Sequence, residues 1–291
     1  MYRRLTAIAA ASGALLLTLT GCFGDPAGTG ADAGGAVKLA ANEILAKVSD
    51  KAGQSDTFRM KMTMDMRLTQ EGLTVDTTTE SDMAVRLRPA VALQGTMRVQ
   101  ASAGGTDLQD APSMQMIFID GSYYLNMGDP KLTGGKPWGR VSLEGLTGMG
   151  GADLSKEAQR QSPAEMARIL TAAPDVKETG KETVDGVQTT RYEGTIDLQR
   201  DLAKLNQGQD SQELAETYRE LGASTMRISL WVGPDSLPRK QTSQMTLKDG
   251  GSMTVTMVYR DYGKPVQISA PPADQVGEFR LPGVPQIPTR T

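Results

Sequence analysis

From residue 58 to residue 69 the chain alternates without a break. Phe58, Met60, Met62, Met64, Met66 and Leu68 fall on one parity; Arg59, Lys61, Thr63, Asp65, Arg67 and Thr69 fall on the other. Successive side chains of an extended chain point to opposite faces, so this run is a strand with one apolar and one polar face. At about 3.4 Å per residue it reaches roughly 37 Å, longer than most strands. Such a strand needs neighbours patterned in the same sense, and something to cover their shared apolar side.

The neighbours are legible. Leu73, Val75, Met83, Val85 and Leu87 share a phase, and Gly72 separates this run from the first as a hairpin would. A third run has Val91, Leu93, Met97 and Val99 in phase. Asp120-Gly121 lies between runs 114–119 and 123–127, and Asp185-Gly186 between runs 176–183 and 187–196. Asp-Gly between extended runs is a strong hairpin signal. Runs 226–232, 241–247 and 252–259 form a closing meander, with turns at Gly233-Pro234 and Asp249-Gly250-Gly251. About ten strands result.

Helical spacing appears in three places. Residues 37–51 carry Leu39, Ile44, Leu45 and Val48, with Gly53 as a stop. Ser162-Pro163-Ala164-Glu165 is a capping box with proline at the first helical position; Met166, Ile169 and Leu170 follow, and Pro174 closes the segment. Residues 198–218 are the third, with a break near 206–208. The predicted fold class is α+β: a large, curved antiparallel sheet of about ten strands, with helices packed on its concave face. Three short helices cover such a sheet only in part, so a gap can remain between the layers.

Methionine bears on what fills that gap. The chain has 16 Met but only 4 Phe and 2 Trp. Methionine is unbranched and polarizable, and suits surfaces that accept variable apolar partners. Phe58, Met60, Met62, Met64, Met66, Leu68, Met83 and Val85 are therefore the candidate lining of a cavity for acyl chains. The same alternation also describes a filled core with methionine as packing material, and both readings stand at this point.

Composition removes most catalytic devices. With no histidine there is no His-based triad, no imidazole acid–base chemistry and no His metal site. A single cysteine excludes an intrachain disulfide and every multi-cysteine metal site. The net charge of −3 gives no electrostatic case for nucleic acid. Glu80 and Asp82 share a strand face, which reads as solubilising charge rather than the cross-cleft pair a glycosidase needs. The glycine-rich 148–151 stretch lacks the lysine and strand–helix setting of a phosphate loop. The expectation is a non-enzyme with no metal and no cofactor.

The N-terminus points to a compartment. Arg3 and Arg4 precede an apolar run at 5–18, and Leu19-Thr20-Gly21-Cys22 follows. A positive start, a short apolar run and small residues read as a secretory signal. The last four residues resemble the lipobox of bacterial lipoproteins, in which the cysteine is lipidated and the preceding signal removed. That resemblance implies a signal peptide at 1–21 and a lipid attachment at Cys22. Loss of Arg3 and Arg4 with the signal takes the net charge from −3 to −5, so the attached fat, not a basic patch, would hold the body to a membrane. Residues 22–36, with Gly24, Pro26, Gly28, Gly30, Gly34 and Gly35, read as a flexible linker of roughly 20 Å reach. Residues 37–270 form one domain, and 271–291 a proline-rich tail.

Three further stretches carry a resemblance: residues 119–125 (Ile-Asp-Gly-Ser-Tyr-Tyr-Leu), residues 231–240, which end in Leu237-Pro238-Arg239-Lys240, and residues 259–266, which contain Asp261-Tyr262-Gly263-Lys264-Pro265-Val266. Together with the lipobox and the order of elements, they resemble the mycobacterial lipid-carrier lipoproteins LppX and LprG, whose half-barrel is similar to that of the LolA/LolB carriers. The resemblance implies a protein anchored on the extracytoplasmic face of the cell membrane. It would bind and shuttle a lipid or lipoglycan in a hydrophobic cavity, without catalysis. The alternative is an envelope interaction or stress-sensor lipoprotein with a filled core and a protein partner. Cys22→Ala is expected to abolish incorporation of labelled palmitate; a variant that still takes up label would contradict the assignment of Cys22.

Overall fold

The computed structural model describes residues 30–70, 72–108, 113–142, 162–198, 200, 216 and 218–279. The chain opens with helix α1 (Gly30–Gly53) and continues into a long β1 (Thr57–Gln70) and β2 (Leu73–Arg86). Then come β3 (Ala92–Ala103), β4 (Thr106–Asp107), β5 (Met114–Ile119), β6 (Ser122–Asn126) and β7 (Trp138–Ser142). Helix α2 (Pro163–Thr171) leads to β8 (Lys177–Val184), β9 (Val187–Asp197), β10 (Thr225–Val232), β11 (Pro238–Thr246), β12 (Ser252–Arg260) and β13 (Val276–Glu278).

All thirteen strands join one sheet, in the order β13-β7-β6-β5-β3-β2-β1-β12-β11-β10-β9-β8, with β4 pairing β3 off that path. The order does not close on itself, so the sheet is an open, curved half-barrel. β1 lies at its middle, between β2 and β12. The Asp-Gly hairpins form as the sequence requires: Asp120 and Gly121 have φ of 50° and 67°, and Asp185 and Gly186 have φ of 47° and 78°. Two successive positive φ values are what a tight two-residue hairpin turn demands.

Register carries the alternation from strand to strand. Met60 faces Met83 on β2 and Tyr259 on β12, Met62 faces Ser81 and Met257, and Met64 faces Thr79 and Val255. The apolar parity of each strand is therefore on one face of the sheet. The two helices cover the β8–β12 side of that face. Ala41, Leu45 and Val48 of α1 and Ala167, Ile169 and Leu170 of α2 share one buried cluster with Tyr192, Ile196, Met226, Ile228, Leu230 and Met245. The capping box is present: the Ser162 hydroxyl accepts from the Glu165 amide at 3.3 Å, with Pro163 at the first helical position.

The opposite, convex face is polar. Arg260 makes a two-pronged ion pair with Asp82 at 2.8 and 2.9 Å, Arg67 meets Asp76 at 2.6 Å, and Thr78 donates to Asp65 at 2.8 Å. Asp82 is thus a paired surface charge, as read from the sequence.

Several boundaries differ from the sequence-based expectation. Helix α1 begins at Gly30, so residues 30–36 are helical rather than linker; Ala31, Ala33 and Ala36 supply helix propensity that the apolar periodicity does not register. The segment after Pro271 is not wholly tail, because β13 pairs in parallel with β7. Strands β4, β7 and β13 were not anticipated; β4 and β13 have two and three residues, too few to show a period. The chain just before β13 also lies on the convex face, where Ile268, Ala92 and Ile117 form a third small core. Most of the helix expected at 198–218, the glycine-rich 148–151 stretch and Cys22 lie outside the described residues.

Gly194 shows how tightly α2 sits. A Cβ there would lie 2.5 Å from Ala173 Cβ and 3.0 Å from Leu170 Cδ1. Gly194→Val should therefore destabilise the fold by about 1–3 kcal/mol, the usual cost of overpacking, visible as a lower urea midpoint; an unchanged midpoint would show that α2 is not held against β9. Burial raises the Tyr259 phenol well above its ordinary value. A raised folded-state value contributes stability below the unfolded value of about 10 and loses it as pH climbs through and beyond that point. Stability should therefore fall above about pH 10, and Tyr259→Phe should fall less steeply; identical slopes would count against the assignment.

Candidate lipid-facing surface

The concave face is not uniform. At the end where β1 begins, aromatic rings close it. Phe58 meets Tyr259 edge-on with ring centroids 6.1 Å apart, Tyr262 lies 6.3 Å from Phe58, and Phe118 lies 4.7 Å from Tyr123. These rings share a packed cluster with Met60, Val85, Leu93 and Met257. Arg239 sits over the Tyr262 ring at 5.9 Å, and the Tyr262 hydroxyl donates to the Pro238 carbonyl at 2.9 Å, which fixes that ring at the rim.

The eight candidate lining residues divide accordingly. All lie on the concave face, by their shared parity and register. Phe58, Met60 and Val85 are buried within the aromatic cluster and are core. Met62 and Met83 are half-buried against that cluster, and Leu68 is half-buried against the helix-covered cluster. Met64 and Met66 are half-buried and belong to neither. Beside them, across β2, stand Val99 opposite Thr79 and Met97 opposite Ser81, also half-buried. The middle of the face is thus a methionine-rich patch between two packed ends.

A polar thread crosses this apolar floor. Gln241 on β11 is fully buried; its amide donates to Ser243 Oγ at 3.1 Å and accepts from the Tyr259 hydroxyl at 3.1 Å. That hydroxyl also lies 3.1 Å from the Met257 sulfur. Desolvation is the cause of the raised Tyr259 phenol, which is therefore a neutral donor. Thr79 and Ser81 on β2 are each 6% exposed. The sequence signal for these polar positions was present: they fall on the inward parity of β2 and β11, between apolar residues. Attention to apolar alternation alone passes over them.

Other concavities lie on the polar side. A groove of about 400 Å³ is lined by Arg59, Asp82, Gln94, Gln115, Trp138 and Gln267, and one of about 540 Å³ by Asp76, Thr78, Gln100, Ser102 and Asp107. Among the described residues no group of three or more acidic or cysteine side chains is placed to hold a metal ion, and no helix is long and apolar enough to cross a membrane.

No protein-family model matches the chain. LprF from Mycobacterium bovis is similar over 80% of this chain and 97% of its own, with 15% identity and a TM-score of 0.48. LppX from Mycobacterium tuberculosis is similar over 79% and 99%, with 14% identity and a TM-score of 0.45. A candidate lipoprotein of Streptomyces coelicolor is 26% identical over 198 residues, 65% of this chain and 60% of that one. An uncharacterized 31.2 kDa protein from the rplA–rplJ intergenic region of Streptomyces griseus is 32% identical over 225 residues, 71% of this chain and 73% of its own, and the chain belongs to the family of that protein.

Proposed function

We propose that this protein is a lipoprotein anchored through Cys22 to the extracytoplasmic face of the cell membrane, and that it binds and shuttles lipids or related amphiphiles on the concave face of its half-barrel. The observation that carries this reading is the patch formed by Met64, Met66, Met97 and Val99, apolar side chains that stay only partly buried between two packed clusters. Apolar area left partly open to water at the centre of a concave face is a cost unless something covers it. An acyl chain that leaves a bilayer for this surface keeps its own apolar burial and adds that of the methionines, at about 25 cal/mol per Å². Methionine suits the task because its flexible thioether adapts to chains of different length and branching. The description of a relative as a candidate lipoprotein supports the anchor. Binding and transfer of this kind need no catalytic group.

The direct test is native mass spectrometry of the Cys22→Ala protein purified from its own source, which carries no acyl chain of its own. Co-purifying lipid is expected, as is uptake of a fluorescent fatty acid. Met64→Glu and Met66→Glu place charge on the patch and should each weaken that uptake about tenfold or more, since an unpaired charge is poorly tolerated against an acyl chain. Ligand-free protein that takes up no fatty acid, with a reproducible protein partner on crosslinking, would contradict the reading and favour an envelope interaction protein.

A further inference from the structure

One polar group on the concave face is left without a partner. Ser81 is 6% exposed, and its hydroxyl makes no hydrogen bond. It sits on the inward parity of β2, in register with Met62 of β1 on one side and Met97 of β3 on the other, with Met83 two residues along its own strand. Thr79 lies two residues along on the other side, also on the inward parity, and the Ser81 hydroxyl pairs neither with it nor with the flanking methionines. Leaving such a donor buried and unpaired is unfavourable, which is why native proteins pair nearly all of theirs. The contrast with β11 is direct: there the inward Gln241 and Ser243 pair with one another and with Tyr259. The floor thus satisfies its polar groups on one side of β1 and leaves one unsatisfied on the other.

We propose that the Ser81 hydroxyl donates to an ester carbonyl of the bound lipid, so that the site selects ester-linked acyl lipids over ligands that are hydrocarbon at this depth. The inference rests on the lipid-binding reading above and narrows its substrate class. The geometry gives a reason for the position. Ser81 lies at the edge of the unclustered patch, beside Met97 and one pair along from Met64 and Val99, where the patch meets the Met62 and Met83 side chains that pack against the aromatic end. The flanking methionines have flexible side chains, and rotation of Met62 or Met97 is the movement that would admit a carbonyl oxygen. An ester carbonyl is well suited because it accepts a hydrogen bond while carrying no charge into an apolar floor.

The test compares dipalmitoylglycerol with its dialkyl ether analogue, which keeps the chains and lacks the carbonyls. Each is titrated against the Cys22→Ala protein by displacement of a fluorescent fatty acid. The expected result is a preference for the ester of about five- to tenfold, the worth of one hydrogen bond between uncharged groups. Ser81→Ala should erase that preference by weakening the ester and leaving the ether unchanged. Equal affinity for ester and ether in the parent protein, or a preference that survives Ser81→Ala, would overturn this proposal while leaving lipid binding intact. Failure of both lipids and of the fluorescent fatty acid to bind would overturn the lipid-binding reading, and this proposal with it.

Discussion

The molecule depends on the in-register pairing of β1 with β2 on one side and β12 on the other. Because side chains alternate with a period of two, one residue of slip would move the whole apolar row of β1 to the polar face. The nine paired positions with β12 and fourteen with β2 prevent this. Once they are fixed, the chain has an apolar concave face and a mostly charged convex one, and most of the rest covers the first. Helices α1 and α2 cover the β8–β12 side, and the aromatic rings of Phe58, Tyr259, Tyr262, Phe118 and Tyr123 fill the end where β1 begins. On the convex face Asp82, Asp76 and Asp65 meet Arg260, Arg67 and Thr78, and the one apolar spot described there, around Ala92 and Ile117, is covered by Ile268.

The identity of the side chains follows the same division. Rings sit where packing is complete, because large rigid groups fill space well when their neighbours are fixed. Methionines occur in both packed clusters, as Met60, Met257, Met226 and Met245, and with Val99 they make up the patch across the middle, as Met64, Met66 and Met97. A strand built from leucine or valine would offer similar apolar area, but with fewer ways of fitting a partner of uncertain shape. The hydroxyls of Thr79 and Ser81 and the amide of Gln241 break the apolar floor at particular places, so the face presents a pattern as well as area.

Much of this was legible in the sequence because the period-two alternation is long and clean. Ten of the thirteen strands, the two Asp-Gly hairpins and the capped start of α2 all follow from local patterns. The placement of the eight candidate residues on one face follows from parity alone. Their division into core and exposed patch does not. Phe58 and Met60 have the same pattern as Met64 and Met66, and only the approach of Tyr259, Tyr123 and Phe118 from other strands buries the first pair. β13 and the third core were also hidden, because they depend on the chain after β12 returning across the convex face to pair with β7, a long-range event with no local period. The extra helical residues at 30–36 escaped for another reason: alanine favours a helix without giving it an apolar stripe.

The central claim is that acyl chains lie along the methionine-rich middle of the concave face, and photo-crosslinking tests it most directly. A fatty acid with a diazirine on its chain would be bound to the Cys22→Ala protein, irradiated, and the labelled peptides mapped by mass spectrometry. The account expects label on residues 62–66 of β1 and 97–99 of β3. Label confined to the convex face, or none above that of an unrelated protein, would contradict it.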